Sequence, residues 1–534
     1  MSGSTTATPT MGGPPQAAAT AVDSERLVPK RVFAFLIMVF GMFMSILDIQ
    51  IVSASLSEIQ AGLSASSNEI SWVQTAYLIA EVIAIPLSGF MSRALGTRYL
   101  FAISAAGFTF ASLMCGMTST IGEMILWRAI QGFLGAGMIP TVFASAYTIF
   151  PRSKMFVVTP IIGLVATLAP TVGPTIGGYL TEALSWHWLF FINVLPGIGI
   201  TIGVLLLVDF DEPHLELLDR FDWVGLISMG GFLGALEYVL EEGPQYDWLD
   251  DESVAFFAVV CGLSAIVFFY RVLTAEEPIV DIRAFKNKNF AFGSMFSFCV
   301  GIGLYGLTYI YPRYLAEIRG YSAMMIGETM FVSGIAMFLT APLVGRLMQK
   351  MDMRIMIAIG LGLFALGTWQ MTWMTRDYDF WELFFPQVFR GCGMMMAMVP
   401  VNNIALGTLP PSLLKNASGL FNLTRNLGGA VGLALINTIL NHRTDLHISR
   451  LHEKVNWGNA TAVETLNMLT QKFQGMGDAS MMALKQLSMI THRQASVMSY
   501  ADSFLILTVF YLALSTLVFF VDKPSLTGPP PDAH

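Results

Sequence analysis

Residues 32–56 read VFAFLIMVFGMFMSILDIQIVSASL, an apolar run that holds one charge, Asp48. As a helix rising about 1.5 Å per residue, a run of this length crosses the ~30 Å hydrocarbon core of a bilayer. A cleaved leader has a shorter apolar core, so the stretch predicts an uncleaved first membrane span. Residues 1–25 before it are rich in Ser, Thr, Ala, Pro and Gly and predict a disordered tail, with Arg26, Lys30 and Arg31 as a basic flank.

The pattern recurs along the chain. Further runs lie near 70–91, 99–117, 122–146, 156–180, 188–208, 222–240, 253–273, 290–312, 323–348, 353–374, 380–402, 416–440 and 502–521, which makes fourteen expected spans. Composition agrees: of 534 residues 54% are hydrophobic and only 12% charged, with mean hydropathy +0.62. So few charges do not cover a soluble body of this size, whereas lipid would. In lipid each span must satisfy its own backbone, so the expected fold is an all-α polytopic membrane protein.

Other classes are disfavoured. The net charge is -8 and no basic tract could track a phosphate backbone, which argues against nucleic acid as a partner. Cys115, Cys261, Cys299 and Cys392 each sit in an apolar run and suggest neither disulfides nor a metal site. No Walker loop suggests ATP drive, and no catalytic triad or metal cluster emerges.

Lys and Arg orient the chain. With the N-terminus cytoplasmic, 17 fall on cytoplasmic segments and 3 on short outer loops, which places both termini inside. A repeat divides it: Pro86, Leu87, Gly89, Met91 and Arg98 recur 256 positions later as Pro342, Leu343, Gly345, Leu347 and Arg354. Two parallel halves would produce that. The expected organisation is therefore a cytoplasmic tail 1–31, a six-helix bundle 32–208, an inserted two-helix hairpin 222–273, a second six-helix bundle 290–521 and a tail 522–534 (six plus two plus six). The polar segment 441–500 within the second bundle, with Ala483, Leu484, Leu487 and Ile490 at helical spacing, predicts amphipathic helices lying on the outer face.

Four motifs in order carry a resemblance. They are Leu47-Asp48-Ile49-Gln50-Ile51-Val52 in span one and Gly89-Phe-Met-Ser-Arg93-Ala-Leu-Gly96-Thr-Arg98 after span two. Leu126-Trp-Arg128-Ala-Ile-Gln131-Gly132 follows in span four, and Pro170-Thr-Val-Gly173-Pro174-Thr-Ile-Gly177-Gly178 in span five, ahead of Trp186-His187-Trp188. Over roughly residues 30–521 the chain resembles the major facilitator superfamily, and within it the fourteen-span drug:proton antiporters of the EmrB/QacA type. It departs from the family pattern at Gln50 (Thr), Arg93 (Asp), Ala94 (Arg) and His187 (Arg).

The resemblance implies a major facilitator fold and a proton-coupled exporter working by alternating access in a bacterial cytoplasmic (inner) membrane. Multidrug efflux and antibiotic resistance would follow. The cargo would be small hydrophobic or amphipathic compounds, with no cofactor and the proton gradient as energy source. In EmrB-like systems the outer face meets a periplasmic adaptor and an outer-membrane channel, here through 441–500; a solvated loop on the membrane is the other reading of that segment.

The residues themselves support parts of this. An ionised side chain deep in a span costs roughly 2.5–3.5 kcal/mol unless it faces a cavity or a partner. Burial disfavours a carboxylate's charged form and a nearby cation favours it, so a carboxyl held between the two can load and release a proton. Asp48 and Arg128 both fall in the outer half of the bilayer and are expected partners in proton coupling; a static buried ion pair is the alternative. Glu81 could join the proton path, attract cations, or be a hydrogen-bonded acid. Pro170, Gly173, Pro174, Gly177 and Gly178 predict a bent, closely packed helix that seals the half-to-half interface. Gly89, Arg93, Gly96 and Arg98 form a candidate cytoplasmic gate or a lipid anchor. Gln74, Tyr77, Gln131, Asn402, Asn422, Arg425 and Asn426 are candidate substrate-binding residues. A dedicated exporter of one metabolite, lipid or siderophore remains open, as does a membrane sensor or scaffold that no longer transports.

Overall fold

The computed structural model describes residues 28–520 except 210, 276, 277, 411 and 476; the expected tails fall almost wholly outside the described residues. The described residues are helical, joined by short turns, with no strand among them. The helices are α1 (Pro29–Ala54), α2 (Leu56–Leu63), α3 (Ser67–Gly116), α4 (Ile121–Gly135), α5 (Met138–Ile149), α6 (Met155–Ala183), α7 (Trp188–Phe191), α8 (Val194–Leu207) and α9 (Trp223–Glu242). They continue with α10 (Glu252–Thr274), α11 (Lys288–Tyr314), α12 (Ala323–Leu347), α13 (Met353–Gln370), α14 (Phe380–Leu406), α15 (Leu414–Lys454), α16 (Ala460–Lys472) and α17 (Ala479–Leu517).

Among the described residues, twelve helical stretches are long and apolar enough to cross a membrane, so the chain is a multi-pass membrane protein. One of them, Glu69–Gly116, runs 48 residues. At about 1.5 Å per residue that is roughly 72 Å, more than twice a bilayer core. Gly96 interrupts it with φ 77 and ψ 158, a left-handed turn that glycine takes without strain. Polar caps start the helices where apolar sequence begins. Ser66 and Glu69 form a capping box on α3, and Asp379 and Glu382 form one on α14.

Helices α1, α3–α6 and α8 pack on one another, as do α11–α15 and α17; the two groups meet through α6 against α12 and α14, and α15 against α3 and α5. The pair α9–α10 is tied at its base by Asp222, which caps α9 and accepts from Arg271 Nη2 at 2.8 Å. Of this pair, α9 also packs on α3 and α15, while α10 is mostly uncovered by protein. The face that carries the start of α1 is closed by Lys30, whose Nζ donates to Asp209 Oδ2 at 3.0 Å and holds that carboxyl below its usual range. This is the basal face below, and the opposite one the distal face.

The expectation for 441–500 is corrected. The segment does not lie flat, because α15 runs 41 residues and α17 runs 39, each far longer than a span, and both continue past the bilayer. Arg443 Nε and His447 Nε2 meet Asp502 Oδ2 at 2.6 and 2.7 Å and clamp the two helices together. Only α16 is a separate element there, and it packs on α17.

Close helix contact depends on missing side chains. A Cβ at Gly132 of α4 would stand 2.4 Å from the Tyr77 carbonyl of α3, whereas one at Gly262 of α10 would meet nothing within 4 Å. Gly132→Ala is therefore expected to destabilise the folded protein by about 1–3 kcal/mol, and Gly262→Ala to be neutral or slightly stabilising. Thermal unfolding of the two purified variants in detergent checks the pair.

Candidate functional site

The first site is a buried ion pair. Asp48 lies six residues before the end of α1, and Arg128 seven residues after the start of α4. Both are therefore about 10 Å inside the distal face. Neither side chain is exposed, and Arg128 Nη1 stands 2.7 Å from Asp48 Oδ2. Gln131 Nε2 and Asn193 Nδ2 donate to Asp48 Oδ1 at 3.2 and 2.6 Å. Arg128 Nη1 also donates to Gln131 Oε1 at 2.7 Å, and Arg128 Nε to the Val73 carbonyl at 3.1 Å. The guanidinium carbon lies 4.3 Å from the Tyr77 ring centroid. The carboxylate thus faces one cation and two amide donors, and its surroundings are polar although it is fully buried. Four of the sequence candidates, Asp48, Arg128, Gln131 and Tyr77, meet here. Asn193, which donates to Ser112 Oγ at 3.0 Å, completes the set; it closes the Trp186–Asn193 stretch but is not among the site candidates of the sequence. Its one signal was an amide side chain inside the apolar run after Trp188.

The second site is a cavity of about 410 Å³ between the two helix groups. It is lined by Gln50, Gln74, Glu81 and Pro174 from the first group, Glu237 and Glu241 of α9, and Tyr305, Tyr309, Arg313 and Asn426 from the second, with Leu78, Ile326 and Leu433 among its apolar residues. Glu81 is 2% exposed, and its Oε1 has no hydrogen-bond partner among the described residues. Arg313 is bound to Glu317 at 2.7 Å. Glu81 belongs to this cavity rather than to the Asp48 pair. Glu237 and Glu241 are not among the site candidates of the sequence, although two carboxylates four residues apart at the end of an apolar span are a legible signal.

The remaining polar candidates divide. Asn426 lines the cavity and accepts from Tyr305 Oη at 3.3 Å. Asn422 accepts from Arg425 Nη2 at 2.7 Å behind the wall, and the Arg425 guanidinium reaches across to the Phe143 ring, 5.6 Å from its centroid. Asn402 is elsewhere: its carbonyl accepts from Tyr147 Oη at 3.0 Å, and its side chain makes no hydrogen bond to the other three. Asn402 therefore stands apart from the other three, because α14 brings it to α5.

In the 170–178 motif, α6 continues as helix through Pro160, Pro170 and Pro174. A Cβ on Gly173 would stand 2.4 Å from Gln50 Cβ, and one on Gly177 2.8 Å from the Ile51 carbonyl. These glycines seat α6 on α1 of its own group, beside Asp48. Across the interface the small residues belong to the other side, since Gly327 would meet Thr175 Oγ1 at 2.5 Å. Gly178 is buried in the same helix.

At the basal face the candidate gate residues lie beside a contact between the two groups. The Arg93 and Arg98 guanidinium carbons lie 5.5 and 5.7 Å from the Phe90 and Tyr99 ring centroids, within their own group. An ionic link between the groups is made by Lys415 at the start of α15, which pairs with Asp211 and donates to the Ser92 carbonyl at 2.9 Å. Asp211 also accepts from the Thr97 backbone N–H at 3.0 Å, just past Gly96. Gly89 lets Asn416 approach, since its Cβ would meet Asn416 Oδ1 at 2.9 Å. The carboxylate absent from position 93 is thus supplied by Asp211, more than a hundred residues on. No local pattern marks that pairing.

Two outcomes follow from these geometries. Arg128→Met leaves Asp48 buried without its cation and is expected to cost about 3–5 kcal/mol of stability, while Arg128→Met with Asp48→Asn recovers much of that loss; a double-mutant cycle of detergent melting reads it. Lys415→Ala removes the basal link and is expected to raise the labelling rate of a cysteine placed at Ser418 several-fold, with no change at a distal cysteine placed at Ser322. Equal rates at Ser418 in both backgrounds contradict the latch.

Comparison with known proteins locates these features in a lineage. A model of the Major Facilitator Superfamily matches residues 38–433. The chain is 42% identical over 492 residues to the colistin resistance protein EmrB of Acinetobacter baumannii, covering 92% of this chain and 96% of that one. It is 29% identical over 490 residues to the multidrug export protein EmrB of Escherichia coli K12, covering 91% and 94%. The crystal structure of the human organic anion transporter MFSD10 superposes with TM-score 0.57 at 12% identity, over 91% of this chain and 100% of that one, a likeness of fold alone.

Proposed function

The chain belongs to the major facilitator superfamily, a family of transporters and not of enzymes, and from that premise we propose that it exports hydrophobic or amphipathic drugs in exchange for protons. The observation that carries this reading is the sealed Asp48–Arg128 pair beside a cavity that lies between two helix groups. Kinship over almost the full chain with proteins named for multidrug export and colistin resistance supports the cargo class.

In this reading Asp48 takes a proton from the outer side. Protonation removes the charge that holds Arg128, and the guanidinium is then left to Gln131 and the Tyr77 ring. The α1–α4 contact loosens, and because Gly173 and Gly177 seat α6 directly on α1, the change reaches the interface with α12. Proton release inward restores the pair. The cavity and the Lys415–Asp211 link supply the two gates of alternating access, and the proton gradient is the only energy source the cycle uses.

The same reading takes fourteen spans, with α3 counted as two across Gly96 and α14 added despite Glu382 and Arg390. Both termini lie inside a bacterial inner membrane, as the Lys and Arg bias favours. A tripartite assembly is a second reading, favoured by the α15–α17 extension beyond the bilayer with Trp457, Met468 and Met481 exposed on it. There a periplasmic adaptor would dock, leading to an outer-membrane channel. A dedicated exporter of one compound differs only in the breadth of cargo.

Inverted membrane vesicles with an internal pH dye test the coupling. Substrate addition is expected to release protons from acidified vesicles carrying the wild type and not from those carrying Asp48→Asn; full coupling in Asp48→Asn sinks the mechanism.

A further inference from the structure

The inserted pair α9–α10 is more than an addition at the rim. Helix α9 is drawn against α3 by Gly230 and Gly234; a Cβ at Gly234 would meet Ile83 Cδ1 at 3.2 Å and Ile79 Cγ2 at 3.4 Å. Tyr238 lies 5.8 Å from the Trp72 ring. The loop beyond α9 is pinned to the second group, where Trp248 Nε1 donates to Thr438 Oγ1 at 3.1 Å and Asn441 Nδ2 to the Pro244 carbonyl at 3.0 Å. Wedged between α3 and α15, α9 closes one side of the cavity.

What it presents there is acidic. Glu237 and Glu241 stand one turn apart on one face, a like-charge spacing that destabilises a helix without a counter-charge. Glu237 is 5% exposed. Glu81 faces the same space, with Oε1 buried and unpartnered. None of the three carboxylates has an ion-pair partner among the described residues; the cavity's Arg313 is paired with Glu317, and buried Arg425, which donates to Asn422, bears electrostatically on Glu81 and not on Glu237 or Glu241. Carboxylates at membrane depth are costly and persist where a function retains them.

The contrast with Asp48 is chemical. Asp48 is satisfied by one cation and two amides within the protein, whereas Glu237 and Glu241 have no ion pair or side-chain hydrogen bond among the described residues. Tyr305 and Tyr309 add aromatic faces suited to a cation, and Leu78, Ile326 and Leu433 an apolar wall. A volume of about 410 Å³ suits a small amphiphile.

We propose that α9 is a wall of the transport cavity and that Glu237, with Glu241 and Glu81, makes it a binding site for a lipophilic cation. This deepens the exporter reading and rests on it for the fate of the bound molecule. The two are separable because binding is measured without transport.

The probe is radiolabelled tetraphenylphosphonium bound to the purified full chain in detergent, with neutral triphenylphosphine oxide as a control of similar shape. The wild type is expected to bind both. Glu237→Gln is expected to weaken the cation at least about tenfold, equivalent to about 1.4 kcal/mol, and Glu237→Asp by less than about threefold, with the neutral probe unchanged in both. Absence of saturable cation binding by the wild type overturns the proposal. So does a Glu237→Gln variant that keeps its affinity for the cation, or one that loses both probes alike while Glu237→Asp retains them. Cation binding with the expected variant pattern, but without efflux from proteoliposomes, upholds the site and refutes the exporter reading instead.

Discussion

Hydrocarbon offers no partner to an ionised group, and the placement of charge in this protein follows from that. Every carboxylate or guanidinium at membrane depth must find a counter-ion, a hydrogen bond or a water-accessible cavity. Arg128 finds Asp48 and Gln131, Arg425 finds Asn422, and Arg313 finds Glu317. Each resolution needs a second helix or a second turn, so satisfying charge and assembling the bundle are the same event. The backbone obeys the same rule, which is why the described residues are helical throughout.

Small residues set how close the helices come and hence which charges meet. Gly132 brings α4 onto α3, which places Arg128 over the Tyr77 ring. Gly173 and Gly177 bring α6 onto α1 within a turn of Asp48. A Cβ at any of these would stand 2.4 to 2.8 Å from the partner helix, too close to be accommodated without a shift of the helices that carry Asp48 and Arg128. The ion pair and the interface helix are thereby linked through packing alone, with α1 as the shared element.

The basal face solves an electrostatic problem differently. The turn after the second span carries Arg93 in place of a carboxylate, so the acid comes from Asp211, beyond α8, and meets Lys415 of the other group. Gly96 breaks α3 so that the Thr97 N–H points at that acid. A link of this kind is easily opened, being partly exposed and dependent on one amine. The distal pair at Asp48, by contrast, is fully buried.

Span-length apolar runs, the 256-residue repeat and the four motifs were sufficient by themselves to determine an all-helical membrane transporter, because lipid imposes length and composition on each helix independently of its neighbours. Asp48 and Arg128 were legible for the same reason: a charge in an apolar run needs a partner, and few exist. What only the tertiary structure decided is which helices touch. Asn193 as the second amide on Asp48, Asp211 as the partner of Lys415, Asn402 apart from Asn422 and Arg425, and α9 as a cavity wall all depend on contacts between segments far apart in the chain. The sequence likewise reads as spans 416–440 and 502–521 with separate amphipathic helices between them, whereas α15 and α17 each continue from span into that segment, joined by Arg443 and His447 to Asp502. Hydropathy records how far each residue prefers lipid; it carries no information on the direction in which a helix turns its few polar groups, and that direction determines the site.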